Sequence, residues 1–343
     1  MDETMLILGD SVDHLMKTDM KLPALPRGFI EVIYQACRKV VGNPLCLSAA
    51  DAIRKRVTKE STVIISTGFV FPPYFPLGET DGPIGAVAMA YAIHHGIGAR
   101  VVFITEREVI DVLKATCTAA GLAVYNYEDF KYIPSAIHIC DFPYNMDQAR
   151  QEGKRIVDEL RPSAVITVEK MGRNEKDIYH SARGNGMGQH IIKVDLLVEE
   201  AKNRGVLTIG IGDFGNEIGL GAVADTVKNV IGPLGVKCNC GCGGSVVTKV
   251  GTEIPIMATM SNWGAYGIAA CLAFIIEKPN ILHSPELELR MTEACVRAGA
   301  MDGSLVRPTL SCDGTTVDGS KAFVQLLHEL IRIKNIKSRP SRK

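Results

Sequence analysis

The stretch Val206-Leu-Thr-Ile-Gly-Ile-Gly-Asp-Phe-Gly-Asn-Glu217 decides the fold. Residues 206–211 form a short apolar run with β-branched members, the pattern of a buried strand. Gly212 and Gly215 then free the backbone to turn. Asp213, Asn216 and Glu217 are thereby predicted on a tight loop at a strand's C-terminal end, the edge where open α/β sheets bind ligands. Two carboxylates and an amide in such a place need compensation by a hard metal ion, an ammonium group or helix-terminus amides.

Two further strands end in acidic loops. Residues 61–69 lead through the Pro- and aromatic-rich segment Phe71-Pro-Pro-Tyr-Phe-Pro76 to Gly78-Glu-Thr-Asp-Gly-Pro83. Residues 163–168 lead straight into Glu169-Lys-Met-Gly-Arg-Asn174. In a parallel sheet, Glu79, Asp81, Glu169, Asp213 and Glu217 converge on one edge, and that convergence is the main functional signal. The alternation continues along the chain. Strands are predicted near 61–69, 99–105, 122–127, 135–141, 164–168, 206–211 and 254–260, with helices near 84–96, 108–120, 148–160, 194–204, 268–277 and 321–333. The fold class is therefore α/β: a doubly wound, mostly parallel, Rossmann-like sheet with helices on both faces. Residues 1–60 read as a helical lead-in packed on the main domain and carrying no chemistry. Residues 61–335 form the α/β domain, and 336–343 read as a disordered tail.

Composition narrows the partners. The chain has 343 residues, 46% of them hydrophobic, and a formal net charge of zero. Lys and Arg form no dense patch before the C-terminal tail, which argues against nucleic acid or an anionic membrane as partner. No apolar run reaches the length of a membrane span. Met1-Asp2-Glu3 lacks the basic start of a signal or transit peptide. Ten cysteines without regular spacing imply reduced thiols, and so a soluble, intracellular, cytoplasmic protein. A homodimer is the default assembly.

Individual motifs divide between chemistry and architecture. Asp81 precedes Pro83, and Pro fits the first turn of a helix, so Asp81 can also act as an N-cap. Arg173 can grip a carboxylate with two parallel hydrogen bonds. Asn174, Arg183 in the Gly-rich stretch Arg183-Gly-Asn-Gly-Met-Gly188, and Asn262 complete the polar groups expected to contact substrate. Cys238-Asn-Cys-Gly-Cys-Gly-Gly244 brings three thiols together, but no fourth ligand stands at the spacing of known zinc modules. The stretch therefore reads as a Gly-rich loop with reduced thiols. Asp302-Gly303 and Asp318-Gly319 read as turns. No Walker A loop, no GxGxxG after a first strand and no GxSxG elbow is present, which excludes the P-loop, standard dinucleotide and serine-hydrolase readings.

Taken together, Gly78-Glu-Thr-Asp-Gly-Pro83, Glu169-Lys-Met-Gly-Arg173, Gly212-Asp-Phe-Gly-Asn-Glu217, Ser261-Asn-Trp-Gly264 and Val317-Asp-Gly319 make the chain resemble the D-glutamate cyclase family in its stand-alone catalytic-domain form. The motifs occur in the family's order and span roughly residues 60–320. Two positions depart from the pattern: Met171 stands where a small residue or Pro is expected, and Phe214 where Gly is expected. Animal members of the family carry an additional N-terminal hydro-lyase-like domain, and the resemblance to them also allows the mitochondrial matrix as location. The resemblance implies a hydro-lyase that uses Mg²⁺ or Mn²⁺ to convert D-glutamate to 5-oxo-D-proline and water. It implies Glu79, Asp81, Glu169, Asp213 and Glu217 as catalytic acids, and Asp213, Asn216, Glu217, Glu79 and Asp81 as metal ligands. A Mg/Mn-dependent phosphatase acting on a small phosphate ester is the alternative. A non-catalytic, metal-stabilised binding protein is the second. The residue chemistry accords with ring closure, since a hard cation takes oxygen ligands and can offset charge on the attacked carboxyl.

Overall fold

The computed structural model describes residues 1–20 and 27–332. The expected C-terminal tail, 336–343, lies outside the described residues. Seven strands form one parallel sheet: β1 (Thr62–Thr67), β2 (Arg100–Ile104), β3 (Val124–Tyr125), β4 (Ile137–Cys140), β5 (Ala164–Val168), β6 (Leu207–Gly212) and β7 (Ile254–Met257). Their spatial order is β3-β4-β2-β1-β5-β6-β7. The chain winds outward from β1 to the β3 edge, returns to β5 on the other side of β1, and winds outward again to β7. The β1–β5 boundary is thus the point where the winding reverses, and there the loops leaving two neighbouring strands diverge and open a crevice.

The strand sequences explain the burial. In β1, Val63 and Ile65 enter one core while Ile64 enters the other. In β2, Val101 and Phe103 alternate in the same way with Val102 and Ile104. A parallel sheet covered on both faces needs such unbroken apolar runs. The helices Met146–Leu160 and Asp195–Asn203 lie on one face. The helices Pro83–Gly96 and Ser261–Ile275 lie on the other, with Leu45–Arg56 packed against the second of them.

Ser261–Ile275 is buried from Ser261 through Phe274. A helix apolar on every side shows no amphipathic period, and its start differs from the sequence expectation. Ser261-Asn-Trp-Gly264 is not a loop after β7 but the first turn of this helix. A further helix, Pro285–Arg297, falls in a region where sequence patterning predicted none.

Candidate active site

Three loops at the C-terminal edge of the sheet carry the acidic side chains. β5 runs directly into Glu169, which holds a left-handed backbone with φ 49°. Its N–H still donates to the Ile211 carbonyl at 3.1 Å, extending the β5–β6 ladder by one bond. A non-glycine residue in this conformation costs on the order of 1 kcal/mol, and the ladder bond helps hold it there. Beyond β6, Glu217 folds back on its own loop: its carboxylate accepts from the Phe214 N–H at 3.1 Å and the Gly215 N–H at 2.7 Å. A Cβ on Gly212 would lie 2.7 Å from the Glu217 Cβ, so this fold-back requires glycine. The loops after β5 and β6 are tied to each other, with Gly172 N–H donating to Asn216 O at 2.9 Å and Ile218 N–H to Lys170 O at 2.8 Å.

Asp81 works across the site. Its carboxylate accepts from the backbone N–H groups of Ser261 at 2.9 Å and Asn262 at 2.8 Å, at the start of the Ser261–Ile275 helix. Asn262 returns the contact, its Oδ1 accepting from Gly82 N–H at 2.9 Å and Gly85 N–H at 2.6 Å, at the start of Pro83–Gly96. Each residue thus satisfies amides that the first turn of the other's helix leaves unpaired. Ser261 Oγ donates to Glu169 at 2.6 Å. The outcome is a buried trio, Asp81, Glu169 and Asp213, each contributing a carboxylate oxygen to a set within 4.8 Å of one another.

Burial pushes the Glu169 carboxyl well above the ordinary carboxylate range, and the charges of Asp213, Glu217, Asp81 and Glu79 push it further. The neighbouring Lys170 turns away and is fully buried against Glu106. Hard oxygen donors in such density suit a small divalent cation. Asn216 adds to the fit, because its Oδ1 is buried without a hydrogen-bond partner while its Nδ2 donates to His180 O at 2.8 Å.

The trio adjoins a cavity of about 660 Å³, within the range of small-molecule sites. Glu79, Glu169, Asp213, Asn216 and Glu217 line it, together with the aromatic side chains of Phe69, Phe71, Tyr74, Phe75 and Phe214. Arg27 and Arg183 line it as well.

The D-glutamate cyclase-like C-terminal family model matches residues 34–328. The chain belongs to that family. It is also similar to the human protein named "D-glutamate cyclase, mitochondrial", at 25% identity over 245 residues, covering 68% of this chain. The chain matches 36% of that relative's length.

Within this family member, the expected site residues separate into two groups. Glu79, Glu169, Asp213, Asn216, Glu217 and Arg183 face one cavity, and Asp81 joins them through the trio. Arg173, Asn174 and Asn262 do not line it. The Arg173 guanidinium donates to Asp195 at 2.6 Å, Glu199 at 2.7 Å and Asp177 at 3.0 Å, so its fork is turned to protein carboxylates and away from the cavity. A buried guanidinium is held by carboxylates, and Asp195 could not be recognised as its partner from spacing alone. Asn174 donates to Ser245 O at 2.6 Å and accepts from the N–H groups of Lys176 at 2.8 Å and Ile178 at 3.0 Å, closing a local turn. Asn262 is occupied by the helix starts described above.

The lead-in, expected to carry no chemistry, supplies Asp19, Arg27, Phe29 and Ile30 to the cavity. Near the C-terminus, Gly303 and Asp313 also reach it. Asp313-Gly314 is the turn between the short strands Ser311–Cys312 and Thr315–Thr316, a hairpin signal visible in the sequence. A Cβ on Gly303 would meet Glu79 Oε2 at 1.9 Å, so that turn is pressed against a cavity carboxylate.

In the cysteine loop the thiols are free, as expected. A fourth group that sequence spacing did not reveal stands beside the three thiols: the His180 imidazole, with Nε2 at 3.2 Å from Cys240 Sγ and 3.7 Å from Cys242 Sγ.

Proposed function

We propose that this chain is a divalent-metal-dependent D-glutamate cyclase, forming 5-oxo-D-proline and water. The observation that carries the reading is the buried Asp81/Glu169/Asp213 trio beside a cavity that also presents Arg27 and Arg183, in a chain of this family. Asp81, Glu169 and Asp213, with the free Oδ1 of Asn216, would hold Mg²⁺ or Mn²⁺. When bound, such a cation supplies Lewis-acid polarisation of the γ-carboxyl.

The protein's own groups perform the remaining tasks. An amino dicarboxylate brings two negative charges, and Arg27 and Arg183 are the cavity cations suited to hold them. Lactam formation joins the amine nitrogen to the carbon of the γ-carboxyl group, whose C–O bond breaks so that one carboxyl oxygen leaves as water, and the amine must give up protons. Glu79, which lines the cavity, is the carboxylate we assign as proton acceptor. The aromatic wall excludes water, which strengthens these charge contacts, and holds the substrate folded with its ends close.

The experiment is incubation of the purified chain with D-glutamate, L-glutamate or a phosphate ester, with Mg²⁺ or Mn²⁺. Metal-dependent 5-oxo-D-proline from D-glutamate alone is the expected result. Rapid phosphate release without lactam would overturn it in favour of a phosphatase.

A further inference from the structure

The geometry points to a second metal site, a structural zinc held by Cys238, Cys240, Cys242 and His180. Each residue offers one ligand atom, and the four atoms all lie within 4.8 Å of one another. The individual edges are Cys238–Cys240 at 3.1 Å, Cys238–Cys242 at 3.4 Å, His180–Cys240 at 3.2 Å and His180–Cys242 at 3.7 Å. With Zn–S near 2.3 Å and Zn–N near 2.0–2.1 Å, a tetrahedron has edges of about 3.8 Å between sulfurs and about 3.6 Å between sulfur and nitrogen. The observed edges reach these values with shifts below about 1 Å. The cysteines are free, and a sulfur separation of 3.1 Å exceeds the disulfide bond length of about 2.05 Å.

The surroundings are built for such a cluster. Gly241 and Gly243 hold φ at 86° and 76°, which turns the loop so that alternate cysteines meet. The Gly244 N–H donates to Cys242 Sγ at 3.4 Å, and Asn174 Nδ2 lies 3.7 Å from the same sulfur. N–H groups of this kind steady a thiolate ligand. A Cβ on Gly186 would lie 3.2 Å from the Cys240 Cβ, so the two loops close on each other without a spacer. His180 and Cys238 are buried while Cys240 is exposed, which leaves an entry path. Three thiolates and an imidazole are soft and borderline donors, the set that takes Zn²⁺ and leaves Mg²⁺ to the carboxylates. All four positions are filled by protein, so the site is closed and structural rather than hydrolytic.

Zinc here would staple residues 180–184 to 238–242. That segment carries Ser181, Ala182 and Arg183 of the cavity wall. Asn239 already holds it, donating from Nδ2 to Arg183 O at 2.8 Å and from N–H to Gly184 O at 3.0 Å. His180 O accepts from Asn216 Nδ2. The four ligands are therefore positioning residues for Arg183 and Asn216. This consequence rests on the cyclase reading; the zinc itself does not.

The test is metal analysis of the full chain, purified without chelator from zinc-replete cells. About one zinc per chain, retained through dialysis, is expected. Replacement by Co²⁺ should give the intense bands of a tetrahedral thiolate site. Cys240→Ser, at an exposed position, should lower zinc content at least about tenfold and speed tryptic cleavage after Arg183. Asp213→Asn should keep its zinc. Zinc well below one-tenth per chain with no cobalt spectrum, iron or copper in its place, a disulfide among the three cysteines, or undiminished zinc in a Cys240→Ser/Cys242→Ser double variant would each overturn the assignment. If lactam formation fails in the parent while zinc is present, the cyclase reading falls and the zinc stands.

Discussion

Asp81, Glu169 and Asp213 sit in the loops leaving three neighbouring strands, β1, β5 and β6. His180 and the three cysteines sit in two surface-reaching loops far apart in sequence. The first group is all carboxylate oxygen, buried and anchored by a sheet ladder and two helix starts. The second is sulfur and imidazole, anchored by glycine turns. Donor type separates the metals each can hold, and the scaffold separates their tasks. Rigid strand ends suit chemistry that tolerates little displacement, whereas loops without a core of their own need a cross-link to hold a shape.

Substitution at the carboxylates is expected to give the largest effect. Asp213→Asn keeps the size of the side chain but removes charge that balances a divalent ion. Lactam formation should fall by about 10³-fold or more, with fold and zinc content unchanged, as read by steady-state kinetics and metal analysis on one preparation. Parallel loss of zinc would erase the separation between the two clusters.

Arg173 belongs to neither cluster and should behave as scaffold. Its side chain is 8% exposed and Asp195 is fully buried. Arg173→Met leaves the Asp195 charge without its partner and should cost about 3–5 kcal/mol, read by denaturant unfolding. Unchanged stability combined with a raised KM would return Arg173 to the substrate.

A smaller effect, near one power of ten, concerns protons. Glu169 in the folded chain titrates above its unfolded value, through burial and then through Asp213 and the other nearby acids. Its contribution to stability is therefore present at low pH and is lost as pH rises through the folded value. A divalent cation displaces that proton, so Mg²⁺ affinity should rise with pH, by roughly tenfold per unit for each proton released. Calorimetry in buffers of different ionisation enthalpy measures the released proton directly. Affinity independent of pH would mean that the trio is not the site.

The smallest effect is expected from Ser261→Ala. It removes one hydrogen bond to the Glu169 carboxylate and should raise the Glu169 pKa further, moving the pH dependence of Mg²⁺ binding upward with little loss of stability. No movement would separate Ser261 from the titrating group.

What the sequence revealed follows from the range of each signal. Strands buried on both faces are written as local apolar runs, so β1, β2, β5 and β6 could be read directly, as could the acids that follow them. His180 could not be matched to Cys238, because their meeting depends on how two distant loops pack. The partner of Arg173 was hidden for a related reason: a guanidinium beside an acidic strand end reads the same whether it meets substrate or a buried Asp195. Arg27 was overlooked because nothing local distinguishes a helical lead-in that only packs on the domain from one whose middle residues reach the cavity. The Ser261–Ile275 helix lost its first two turns in the reading because a helix buried all round offers no periodicity.

The exchange of caps between Asp81 and Asn262 joins residues about 180 positions apart. Neither helix start is complete until the other has docked, so these contacts carry a large loop-closure cost and belong to the late part of folding. Once formed, the amide hydrogens of Gly82, Gly85, Ser261 and Asn262 have no local opening that frees one pair and spares the other. In deuterated water they should form a single slow-exchanging island, released only when the whole domain unfolds.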